Sequence, residues 1–158
     1  MKTVPCMLLA GLLALAAPHP SWAQAPAAAG VEVAGVRYAP TTAVGNANLQ
    51  LNGAGIRYKA IFKVYAAGLY LGAKAATPEV VYTAPGAKRS RVVMLRDIDA
   101  NELGKLFTDG MQKNASREEF GKSIPGTLKL AEMFATKKRL VAGETFSVDY
   151  VPGAGTSV

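Results

Sequence analysis

Apolar and polar positions change rhythm along the chain so as to predict strands first, helices next and strands again. "VEVAGVRY" (31–38) reads as a strand, "APTTAVGN" as a turn, and "NLQLN" followed by "GAGIR" as a strand bent at its glycines. From Ile56 the alternation is strict, with Ile56, Tyr58, Ala60, Phe62 and Val64 on one side and Arg57, Lys59, Ile61, Lys63 and Tyr65 on the other. A period of two predicts a half-buried strand with one basic and one apolar face. Beyond Tyr65, "AAGLYL" is apolar on both sides and predicts deeper burial. "AKAATPEVVYTAPGAKRS" predicts a loop with at most one short strand, and "RVVMLRDI" (91–98) a second apolar strand.

Helical spacing begins after that strand. Asp99 with Glu102 makes a capping signal, and Leu103, Leu106, Phe107 and Met111 then fall on one stripe. Ser116 with Glu119 repeats the device and opens a helix whose apolar side carries Phe120, Ile124, Leu128, Ala131 and Phe134. Pro125, lacking the amide the helical ladder needs, predicts a kink or split there. "TFSVDYV" (145–151) returns to alternation with Phe146, Val148 and Tyr150 inward, and "PGAG" turns the chain into "TSV". This order predicts an α+β fold, an antiparallel sheet with helices packed on one face. No internal repeat is visible, and the length suits one domain.

The first residues alter this picture by naming a compartment. Lys2 precedes "MLLAGLLALAA" and then the break "PHPSWA", the pattern of a secretory signal peptide. An apolar run of about 11 residues is too short to cross a bilayer as a helix. Ser21 and Ala23 supply the small residues of a cleavage site, so residues 1–23 are expected to be removed and the mature chain to be periplasmic. A flexible stretch, "QAPAAAG" (24–30), then leads into a domain over 31–158.

The lone cysteine, Cys6, and the lone histidine, His19, both lie in the removed segment. A mature chain without either excludes disulfides, thiol chemistry, histidine-based triads and the usual zinc sets, and neither metal nor cofactor is expected. The net charge of +7 suits a solvated basic surface, an anionic ligand or an anionic lipid surface, and no nucleic-acid partner is expected.

"LNGAGIRYKAIFKVYAAGLYLG", "VVMLRDIDANEL", "GMQKNASREEF" and "GETFSVDYVPGAGTSV" together resemble the bacterial, exported branch of the chalcone isomerase-like family over about residues 31–158. The resemblance implies an open-faced β-sandwich, a large antiparallel sheet with a layer of α-helices and a ligand cleft between them. Its flavanone-forming members use an arginine at the start of this strand to clamp an oxyanion. Fatty-acid-binding members use it to hold a carboxylate, which suits a permanently charged, bidentate guanidinium. Arg57 is similar to that residue, and Tyr65 is placed to line the same site. The position that carries a helical tyrosine in the plant enzymes holds Phe120, which neither donates nor accepts a proton. Members also continue past "GAGTSV" with another strand and helices, so the domain is expected to be incomplete at its C-terminus.

Three readings follow. In the first, the protein binds a small amphipathic anion, a fatty acid above all, through Arg57, Tyr65 and Phe120. In the second, it is a cofactor-independent isomerase or lyase with Arg57 stabilising an oxyanion and Tyr65 beside it. In the third, it is a basic module that meets anionic lipid or another envelope protein. Asp97 and Asp99, a close acidic pair, are read as structural because capping at a strand-to-helix junction accounts for them.

Overall fold

The computed structural model describes residues 30–158. Residues 1–29, which hold the expected signal peptide and its cleavage site after Ala23, lie outside the described residues.

The fold is α+β. Six strands form one antiparallel sheet in the order β10 (Gly155–Ser157), β9 (Thr145–Val151), β6 (Lys88–Met94), β5 (Phe62–Leu71), β4 (Ala47–Lys59), β3 (Thr41–Val44). One face receives the helices α2 (Ala100–Asn114) and α3 (Arg117–Ala135), and the other receives a small hairpin of β1 (Val31–Val33) and β2 (Val36–Tyr38).

Each face builds its own core. On the helical side Val64, Val92 and Met94 pack with Leu103, Phe134 and Leu140. Phe107 of α2, Phe134 of α3 and Phe146 of β9 meet there with ring centroids 5.4–6.3 Å apart, which fastens both helices to the sheet. On the hairpin side Tyr38 is fully buried among Val44, Leu49, Leu51, Ala66 and Tyr70. Arg89 on β6 donates both to the adjacent β9 and, over β5 and β4, to β3. It reaches Asp149 on β9 through two bonds of 2.7 and 2.6 Å, and Thr42 Oγ1 and the Ala43 carbonyl on β3 at 3.0 Å. Contact between non-adjacent strands requires the sheet to curl toward the hairpin side, as a twisted sheet does.

The local signals for the helices act as the sequence predicts. Asp99 accepts from the amides of Asn101 and Glu102, and Ser116 and Glu119 form a reciprocal capping box; each cap stabilises its helix by about 1 kcal/mol. Leu103 is fully buried and Leu106, Phe107 and Met111 are half-buried behind it.

Elsewhere the structure corrects the pattern reading. Residues 31–38 form a hairpin rather than one strand, because Ala34 (φ 52°) and Gly35 (φ 79°) both adopt the left-handed region of a tight turn. The expected turn at 39–46 contains β3 and contracts to Gly45 and Asn46. The alternating run from Ile56 to Tyr65 is likewise two strands, reversed at Ala60 and Ile61, with Ala60 at φ 51°. In the predicted loop at 73–90 lies a short helix, α1 (Pro78–Thr83), capped by Thr77 and opened by a proline in its first turn.

Pro125 does not split α3. It and Gly121 are solvent-exposed, so the carbonyl that the missing amide leaves free is open to solvent, while Ser123 and Thr127 hydroxyls bond the carbonyls of Phe120 and Ser123. The inward stripe of this helix runs through Ser123, Thr127, Leu130 and Phe134, so Ile124 and Leu128 face outward. Tyr150 shares a strand parity with Phe146 and Val148 but lies beyond the helical cover and is exposed.

Candidate functional site

Arg57 and Tyr65 are direct cross-strand partners in β4 and β5, and Met94 of β6 continues their row. Partners in register share a face, with Cβ atoms about 4.5–5.5 Å apart. That face is the helical one, because Tyr65, half-buried, packs against the cluster built by Leu103 and Phe134. Arg57 is solvent-exposed, and its guanidinium has no hydrogen-bonding or acidic partner among the described residues.

The other cations of the hairpin are arranged differently from the expected single basic face. Lys59 lies on the Arg57 face and is paired with Glu102 of α2. Lys63 stands opposite Tyr58, hence on the other face. The reason is geometric. The reversal at Ala60 and Ile61 exchanges the two faces, and the irregularity that places Val64 between the Tyr58–Lys63 and Arg57–Tyr65 pairs exchanges them back.

Beside Arg57 the sheet floor is bare. Gly55 and Gly53 follow it on the same face, paired with Ala67 and Leu69, and a Cβ at either glycine would meet nothing within 4 Å. The Gly53–Leu69 row continues through Ser90 to Val148. Val148 lines a cleft of about 710 Å³ between α3 and the β9–β10 edge, together with Met111, Leu130 and Met133 and the exposed Lys122 and Lys129. The glycines, read from sequence only as bends, therefore share the face of Arg57 and Tyr65. Their spacing of two on a strand is the signal that identifies them as one side-chain-free track.

The cleft at Val148 and the Arg57 guanidinium do not coincide. Arg57, Tyr65 and Phe120 line neither the 710 Å³ cleft nor a smaller one of about 330 Å³ bounded by Lys59, Phe62, Val64, Arg96 and Glu102. Phe120 sits half-buried in the first turn of α3, on a different element from the other two. The charge that would orient an anion is thus at one end of the helical face and the apolar volume at the other, joined by the glycine track and Leu69.

The acidic pair has structural work. Asp99 caps α2. Asp97 accepts from the Ala142 amide at 3.0 Å and from Arg139 at 3.2 Å, and these two bonds, the amide first, hold its carboxyl below the ordinary range. The two carboxylates therefore serve the junction between β7 (Ile98–Asp99), β8 (Arg139–Leu140) and α2.

No relative among curated proteins matches the chain. A family model described as chalcone isomerase-like matches residues 30–158, which takes in all the described strands and helices together with Arg57, Tyr65 and the glycine track; the chain belongs to the chalcone isomerase-like family.

Proposed function

We propose that the protein binds an amphipathic carboxylate, a fatty acid above all, on the helical face of its sheet, and that it does so in the periplasm, where its N-terminal signal pattern directs it. The observation that carries this reading is the pairing of an unengaged Arg57 with Tyr65 at the head of the bare Gly55–Gly53 track. Arg57 supplies two parallel N–H donors to a carboxylate, and the Tyr65 hydroxyl, on the same face, supplies a further donor. From Arg57 to Gly53 the strand offers about 14 Å of floor at roughly 3.4 Å per residue. A methylene chain lies flat there because no side chain rises from the glycines, and Leu69 leads it toward the apolar cleft at Val148.

Binding rather than turnover fits the available groups. Phe120 offers no proton, and Asp97 and Asp99 are committed to the backbone.

Mass spectrometry of the purified protein under native conditions tests the reading first, with co-purified carboxylate expected. Titration with a long-chain fatty acid should then saturate at one site. Attachment that never saturates and simply fades with salt would replace the site by a diffuse basic surface.

A further inference from the structure

The tip of the β4–β5 hairpin carries a feature that carboxylate binding leaves unused. Ile61, at the apex, is 84% exposed, and Phe62 and Tyr58 beside it are 54% and 46% exposed. Large apolar side chains gathered at one protruding turn mark a surface that meets something other than water. The surroundings are cationic. Lys63 lies on the Tyr58 face, and Arg96 holds its guanidinium 4.8 Å from the centroid of the Phe62 ring. The carboxylates that line a cleft with Phe62 and Arg96, Asp97 and Glu102, are already paired with Arg139 and Lys59. Lys63 and Arg96 have no carboxylate partner among the described residues.

We propose that this tip docks on an anionic lipid surface, with Ile61 and Phe62 entering the interface and Lys63 and Arg96 meeting lipid phosphates. The pairing of apolar apex with cationic flank is what such a surface recognises, since burial of apolar side chains and attraction to anionic headgroups act together there. Tyr58, with its apolar ring and polar hydroxyl, suits the headgroup level. A protein partner is the weaker fit, because a stable interface takes about 800 Å² from each side and a two-residue convex loop offers far less. The proposal stands independently of what Arg57 binds.

Co-sedimentation of the exported protein, freed of residues 1–23, with vesicles of phosphatidylcholine mixed with phosphatidylglycerol, against vesicles of phosphatidylcholine alone, tests it. Binding is expected to the mixed vesicles and to weaken as salt rises. Joint replacement Ile61→Asp and Phe62→Asp should reduce it about tenfold or more, and Lys63→Glu with Arg96→Glu should do the same while flattening the salt dependence. Both sets lie on exposed positions, and a fatty-acid titration of Ile61→Asp should match the parent protein. Ile61→Trp supplies a second readout, a blue shift of its emission on the mixed vesicles. Vesicle binding without that shift, or undiminished in the Asp pair, overturns insertion by the tip. Self-association that Ile61→Asp abolishes, in a protein that ignores vesicles, would give the tip to a second copy of the chain and overturn the proposal equally.

Discussion

Gly68 lies directly under the ring of Tyr38, so that a Cβ at position 68 would stand 2.5 Å from Tyr38 Cδ1. The glycine is what lets the β1–β2 hairpin seat on β5. Gly68→Ala should cost about 1–3 kcal/mol, the range for forcing extra volume into a filled core. Tyr38→Phe should behave oppositely. Its hydroxyl is buried with no partner among the described residues, and burial pushes the phenol's pKa up. Removing it should leave stability unchanged or raise it by about 1 kcal/mol. Chemical denaturation of both variants checks the pair, and a destabilised Tyr38→Phe would reveal a bonded hydroxyl.

Arg57→Ala should weaken fatty-acid binding about tenfold or more, the loss of a charge-assisted bond of roughly 1.5–3 kcal/mol, while costing under about 0.5 kcal/mol in folding. Lys63→Ala, on the opposite face, should bind as the parent does. Lys59→Ala shares the face but is occupied by Glu102, so its effect should be small. Equal losses in all three, read by calorimetry, would mean that no single guanidinium directs the ligand.

Chalcone should not be cyclised above the uncatalysed rate. Arg57 offers an oxyanion partner, but Phe120 cannot help activate the substrate. Loss of chalcone absorbance that depends on protein concentration would show otherwise.

Acid should loosen the region around β8 and the start of α3. Asp97 is depressed by the Ala142 amide and then by Arg139, Glu119 by the Ser116 hydroxyl and then its amide, and Glu144 by Lys137 and then the Val141 amide. Each folded carboxyl binds its proton less readily than the unfolded one. Their stabilisation is therefore complete above the ordinary values of 3.8 and 4.5 and is lost as pH falls through the lower, folded values. Urea midpoints measured down the acid limb should fall less steeply in a protein carrying Asp97→Asn and Glu144→Gln. An unchanged slope would assign the acid sensitivity to other groups.

What sequence made legible was local. The Asp99 and Ser116 caps act within three residues, so their spacing suffices to place two helices. The reversal at Ala60 and Ile61 was hidden because neither residue is a usual turn former and the alternation continues through it. Tyr65 nevertheless emerged on the Arg57 face, since turn and bulge each invert the parity once and cancel; Lys63, between them, is inverted once and was misplaced. The Arg89–Asp149 bridge joins residues far apart in the chain, and no local pattern announces it. The apolar cleft at Val148 was equally hidden, being made by strand and helix edges brought together only by the fold.

The insertion of α2 and α3 between β6 and β9 has a consequence in time. Strands β3 to β6 pair along the chain in order, whereas Val93 must find Thr145 across a loop of about 50 residues, a closure with a larger entropic cost. Strand β9 is thus expected to dock last. Pulse-labelled hydrogen exchange during refolding should protect the amides of Ala66–Leu69 before those of Phe146–Val148, and simultaneous protection would contradict this order. Until β9 arrives, Phe107 and Phe134 lack the ring that closes their cluster, and the half-assembled sheet offers β6 as an open edge to other chains.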